Sequence, residues 1–82
     1  MRYDFLILGG PANLREGQAE GYEPRVAALS AVRSECDILD GLEGPLAPIV
    51  TIERDKLDSG VFNATIDYHD EAPVWVRLAE AD

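Results

Sequence analysis

The sequence predicts an α+β fold, a two-layer sandwich in which one amphipathic helix packs on a mostly antiparallel sheet of about four strands. Three observations support this. Three short runs within residues 48–79 alternate apolar and polar side chains, residues 23–42 carry apolar side chains at helical spacing, and residues 2–8 form an apolar run. The predicted element order is β-α-β-β-β.

The last third of the chain is predicted to be a three-stranded meander. In residues 61–68, Phe62, Ala64 and Ile66 alternate with polar side chains. Successive side chains on a strand point to opposite faces, so one face should be buried and the other hydrated. Residues 48–54 and 73–79 alternate in the same way. The short connections between the runs favour antiparallel neighbours.

Residues 23–42 are predicted to form the helix. Pro24 suits the first helical position, where its missing N–H costs nothing. At 100° per residue the apolar side chains gather on one stripe, which would dock on the apolar face of the meander. That stripe comprises Ala28, Leu29, Val32, Cys36 and Leu39.

The N-terminal third is less regular. Residues 2–8 are almost continuously apolar, as in a strand that is covered on both faces or lies centrally in a sheet. The pair Gly9-Gly10 ends this strand. A dinucleotide-binding fingerprint would need Gly-x-Gly-x-x-Gly leading into a helix, but Pro11-Ala12-Asn13 follows, so no cofactor is predicted there. Residues 13–22 are predicted to be a loop, with a short strand or a helical turn as alternatives.

Length and charge limit the functions to consider. The 82 residues predict one domain, residues 1–82, and the net charge is −9, from 16 acidic and 7 basic residues. This charge argues against direct binding to nucleic acid or to an anionic membrane, and it favours a basic partner. The alternative is that the acidity only keeps the protein soluble. An N-terminus without a secretory pattern predicts a cytoplasmic location.

No set of residues predicts catalysis. The densest group of potential metal ligands is Asp67, His69, Asp70 and Glu71, and its spacing favours a solvated turn over a metal site. The single cysteine, Cys36, lies on the apolar helix stripe, where a thiol is usually inert. We therefore expect no enzyme activity, no cofactor and no metal.

Two features predict contact with a partner. Acidic residues near the helix C-terminus oppose the helix dipole, which favours a functional role for them, although drift is the alternative. Trp75 is predicted on the polar face of the sheet, and exposed tryptophans often anchor interfaces. A covering segment or a dimer mate would also explain it. The candidate partner-binding residues are Asp37, Asp40, Glu43, Asp67, Asp70, Glu71 and Trp75.

These features together suggest a small acidic binding protein without catalytic activity. It would inhibit or neutralise another protein that has a basic, nucleic-acid-binding surface, as a nucleic-acid mimic does. Phage-type counter-defence inhibitors and toxin immunity proteins share its size and charge, which is an analogy of class and not of motif. The alternative is an assembly subunit, such as a homodimer, that self-associates through the outer sheet face or an edge strand.

Overall fold

The computed structural model describes residues 1–35, 48–67 and 72–81. One helix packs on one face of a five-stranded antiparallel sheet, whose strand order is β2-β1-β5-β4-β3. The predicted α+β sandwich is confirmed, with five strands in the described part of the chain instead of about four. The elements, in chain order, are β1 (Arg2–Leu8), β2 (Glu16–Glu20), α1 (Pro24–Glu35), β3 (Ile49–Arg54), β4 (Val61–Asp67) and β5 (Val74–Glu80).

The additional strand is β2, which lies in the segment predicted to be a loop. Its sequence, Glu-Gly-Gln-Ala-Glu, has low strand propensity, and only Ala19 is buried. Pairing with β1 holds it in place, with Gly17 opposite Phe5. A Cβ on Gly17 would lie 3.0 Å from Cζ of Phe5, so the phenylalanine ring covers the position where a side chain would stand. Tertiary pairing therefore overrides the weak local preference.

The first strand lies between β2 and β5 and is covered on one face only. Tyr3, Phe5 and Ile7 point towards α1 and are buried. Leu6 and Leu8 point away from the helix, and Leu8 remains exposed. The apolar run thus reflects a central position in the sheet, which was one of the two alternatives, and not coverage on both faces.

The meander is confirmed with the predicted faces. Val74 lies opposite Ile66, and Val50 lies opposite Ile66 on the other side, so the apolar side chains of all three strands share the helix-facing surface. Trp75 lies opposite Thr65 on the other face, as the alternation predicted.

The helix begins at Pro24, as predicted, but its buried face is rotated from the predicted stripe. Ala27 and Ala31 are fully buried beside Ala28 and Val32, whereas Leu29 is only partly buried. Three of the four buried helix residues are alanines, so mainly small side chains of the helix meet the larger side chains of the sheet. The remaining stripe residues, Cys36 and Leu39, and the predicted helical residues beyond 35 lie outside the described residues.

Aromatic side chains fill one end of the core. Tyr3 and Phe62 pack edge to face, with ring centroids 6.3 Å apart and an interplanar angle of 80°. The Arg54 guanidinium lies 4.9 Å from the Phe62 ring centroid and covers its outer side. Burial, and secondly the Glu80 carboxylate, raise the pKa of the Tyr3 hydroxyl above 10.0, which keeps the phenol neutral.

The connection from β1 to β2 contains a β-bulge. The Ile7 N–H donates to the Arg15 carbonyl (2.9 Å), and the Leu14 N–H donates to the Ile7 carbonyl (2.7 Å). Leu14 and Arg15 therefore both lie opposite Ile7. Leu14 adopts the left-handed conformation (φ 68°) in which glycine is usually found at this position of a bulge. The Leu14 side chain is 66% exposed, so burial does not compensate for this strain.

Candidate functional site: the open face of the sheet

The candidate site is the sheet face that points away from α1, which we call the open face. No other described element packs on it. The strand registers align its side chains in rows across the sheet. One row, the Trp75 row, consists of Leu8, Trp75, Thr65 and Thr51.

Trp75 is exposed but firmly seated. Its side chain is 46% exposed on β5. A Cβ built on Gly9 would lie 3.3 Å from Cε3 and Cζ3 of the indole, so one side of the ring lies against the Gly9 backbone. Gly9 has a φ of 88°, and its N–H donates to Oδ1 of Asn13 (2.7 Å). The indole therefore packs on the backbone with one side and presents apolar surface to solvent.

A second row, the Arg77 row, crosses all five strands of the sheet and contains charged, polar and apolar side chains. It consists of Glu16, Leu6, Arg77, Asn63 and Glu53. A shallow concavity of about 240 Å³ lies along part of this row and is lined by Asp4, Phe5, Leu6, Glu16, Arg77 and Ala79. Acidic side chains therefore stand at both ends of the row, and the Arg77 cation stands in its middle.

A hydrogen-bond network orders the edge of the open face near the β3–β4 connection. The Asp55 carboxylate accepts hydrogen bonds from the backbone N–H groups of Leu57 (3.0 Å) and Asp58 (3.1 Å) and from Nδ2 of Asn63 (3.2 Å). The Leu57 hydrogen bond, then the Asn63 hydrogen bond, and more weakly the Asp58 N–H and the Arg77 charge, lower the pKa of Asp55 below 3.8. Asp55 thus stays ionised under ordinary conditions.

The open face carries more negative than positive charge. Its outward cations are Arg2 and Arg77, and Arg2 is paired with Glu20 at 3.2 Å. Arg77 has no ion pair within 4.0 Å among the described side chains. The outward carboxylates on the strands are those of Asp4, Glu16, Glu20, Glu53 and Asp67. A basic partner would therefore be attracted to this face.

The structure brings together two of the predicted partner-binding residues. Asp67 and Trp75 share the open face, and Asp67 lies two residues beyond Thr65, which is opposite Trp75. Glu35, an acidic residue at the C-terminal end of the described helix, forms an ion pair with Arg15 at 3.5 Å. The other predicted residues, Asp37, Asp40, Glu43, Asp70 and Glu71, lie outside the described residues.

Charge is distributed unevenly along the chain. All seven basic residues lie in the described part of the chain, but six of the sixteen acidic residues do not. Those six are the five just named and Asp82. The connections between Glu35 and Pro48 and between Asp67 and Ala72 are therefore strongly acidic by sequence.

Sequence reasoning missed several residues of the open face. Leu8 stands beside Trp75 because β1 pairs with β5, and Glu16 joins the Arg77 row because β2 exists. Outward apolar residues in a strand next to a predicted outward tryptophan would have signalled the site, had the strand order been known. A single sequence does not contain that order.

The described residues also bear on metal and membrane binding. Within residues 1–35, 48–67 and 72–81, no three His, Cys, Asp or Glu side chains are grouped as metal ligands would be. His69 and Cys36 lie outside these ranges. In the same part of the chain, no helix has the length and apolar character that a membrane span requires.

Comparison with known proteins gives no match, whether to a family model, a curated protein or a solved structure. The geometry and charge of the open face are therefore the basis for a functional proposal.

Proposed function

We propose that this protein is a small acidic binding protein without catalytic activity, which occupies a basic, nucleic-acid-binding surface of another protein. One observation carries the proposal: Trp75, 46% exposed and seated against Gly9, stands on an open sheet face whose outward charges are mainly carboxylates. Such a partner would be the target of a phage-type counter-defence inhibitor or a toxin that an immunity protein neutralises.

The two kinds of side chain have different roles in this proposal. Carboxylates such as Glu53 and Asp67 take the positions that phosphates occupy on the partner, and they accelerate association by long-range attraction. Trp75 supplies the apolar contact that slows dissociation, because its indole loses little conformational freedom when it is already seated. Thr65 and Thr51 continue the row beside it, and their hydroxyls would form hydrogen bonds with the partner around the apolar contact.

The test begins with capture of the partner from the native host, followed by binding measurements with the purified pair. Trp75→Ala should weaken binding by roughly 30-fold or more, as expected for a hot-spot residue. Leu57→Ala is the matched control, because Leu57 is 98% exposed and lies in the β3–β4 connection away from the Trp75 row. This control should bind like the unmodified protein.

Salt and charge reversal test the electrostatic part. Affinity should fall steeply as salt rises, and charge reversal at Asp67 and Glu53, or at Asp37 and Asp40, should weaken binding further. An affinity that is equal at low and high salt would contradict the proposal, and so would a Trp75→Ala variant that binds with full strength.

A further inference from the structure

The two edges of the sheet differ in how they are protected against pairing. The β2 edge follows a bulge at Leu14, and its outward residues are Glu16, Gln18 and Glu20. Charges and bulges of this kind discourage the addition of another strand. The β3 edge follows Pro48 and begins with four consecutive β-branched residues, Ile49-Val50-Thr51-Ile52. Within the strand it contains no proline, lysine or bulge, and its two charged residues, Glu53 and Arg54, lie at its end. An edge of this composition favours strand addition.

Backbone geometry identifies which groups the β3 edge offers. The Asp55 N–H donates to the Val61 carbonyl (2.8 Å), continuing the β3–β4 ladder. Because hydrogen-bonding direction alternates along a strand, Thr51 and Glu53 also bond towards β4. The N–H and C=O groups of Val50, Ile52 and Arg54 therefore point to the free side of β3, where no described strand lies.

We propose that β3 is a dimerisation edge, at which β3 of a second copy pairs antiparallel about a two-fold axis at Thr51. In this register Val50 of each copy forms a hydrogen-bonded pair with Ile52 of the other, and the two Thr51 side chains face each other. The two sheets then form one continuous sheet with both helices on the same side. The open face stays accessible, so the inference does not depend on the proposed binding function.

The side chains of β3 favour a second copy in this register. Val50 and Ile52 both point to the helix side, and Ile52 is only half-buried in the single chain, so pairing them extends the core across the junction. Glu53 would lie opposite Ile49, so no like charges meet. A register one step along, centred on Ile52, would instead place Val50 opposite Arg54.

Net charge gives this dimer a salt dependence opposite to that of the basic-partner complex. Each chain carries a net charge of −9, so two copies repel each other at long range. Screening by salt should therefore strengthen the dimer, whereas salt should weaken binding to a basic partner. Failure of one proposal thus leaves the other open to its own test.

The experiment is sedimentation of the purified full chain over a range of concentrations at low and high salt, with amide hydrogen exchange measured on the same samples. We expect a monomer–dimer equilibrium that shifts towards the dimer as salt rises. The Ile52 amide should exchange more slowly as concentration increases. The Gln18 amide on the β2 edge, whose N–H points to that strand's free side by the same alternation, should not change.

Two matched variants test the edge. Thr51→Lys places like charges opposite each other and should weaken dimerisation by about fivefold, although it lowers the overall repulsion. Gln18→Lys makes the same change of charge at the other edge and should not weaken it. A protein that stays monomeric at its highest soluble concentration would overturn the proposal. A dimer whose dissociation constant is unchanged by Thr51→Lys would also overturn it. So would a dimer in which the Ile52 amide shows no concentration-dependent protection from exchange.

Discussion

The two faces of the sheet are built from alternate residues of the same strands, and they are in very different environments. On β4, Ile66 is fully buried beneath α1, whereas its neighbours Thr65 and Asp67 face outwards. On β5, Val74 and Val76 are buried on either side of the exposed Trp75 in the sequence. Residues that stabilise the fold and residues available to a partner are thus adjacent in sequence.

This difference means that stability and recognition can be altered separately. The inner face is close-packed and almost completely dehydrated, so removal of a side chain leaves a cavity. A side chain on the open face already contacts water, and its removal changes mainly what a partner would meet. Paired substitutions on the two faces test that separation.

The largest effect is expected at Ile66, which is 0% exposed. Ile66→Ala should lower the free energy of unfolding by about 2–5 kcal/mol, because it removes buried methyl groups and leaves a cavity. Thr65→Ala, one residue away on the open face, should lower it by less than about 1 kcal/mol. Urea unfolding of both variants measures the difference, and equal losses would contradict the distinction between the faces.

The next largest loss of stability is expected at Gly21, in the connection between β2 and α1. A Cβ on Gly21 would lie 2.8 Å from the Ala27 backbone nitrogen, so the first helical turn would have to move. Gly21→Ala should cost about 1–3 kcal/mol of stability, the usual range for overpacking. Gly60→Ala is the control, because its Cβ would meet Oδ1 of Asp58 at an ordinary 3.5 Å. Thermal unfolding should show a lower Tm for Gly21→Ala alone.

Leu14 should give a smaller effect of opposite sign. Its φ of 68° is unfavourable for leucine, and glycine adopts this conformation without strain. Leu14→Gly should therefore raise the free energy of unfolding by about 1 kcal/mol. Leu57 is 98% exposed, and its φ is not positive. Leu57→Gly should be neutral or destabilising, and the same result at both positions would show that the Leu14 conformation is not strained.

The smallest effect is expected at Asp55, and it should depend on pH. Its pKa is lowered from 3.8, so its contribution to stability is present above that value and is lost as pH falls through the lower pKa of the folded state. Asp55→Asn should therefore destabilise the protein at neutral pH, and the difference should shrink as pH falls below 3.8. Urea unfolding from neutral to acidic pH measures this, and a constant difference would contradict it.

A second variant separates the contributions to the Asp55 network. Asn63→Ala removes the side-chain hydrogen bond at 3.2 Å but leaves the two backbone donors in place. It should reduce the pH dependence only in part, because the Leu57 N–H is the strongest influence on this carboxylate.

Several features of the molecule were determined by the sequence alone. Alternation in residues 61–68 and 73–79 places Phe62 and Val76 inwards and Trp75 outwards, because side chains on a strand alternate whatever its partners are. Pro24 begins the helix for an equally local reason. The outward position of Trp75, which is the centre of the candidate site, was thus predictable.

Tertiary structure decided the rest. The β2 strand forms because it pairs with the edge of β1 and because the Phe5 ring covers Gly17. No local sequence pattern indicates either contact. Strand order places Leu8 beside Trp75, and packing against the sheet leaves Ala27 and Ala31 fully buried while Leu29 is only partly buried. These outcomes depend on which surfaces meet, whereas alternation and helical period are properties of one segment at a time.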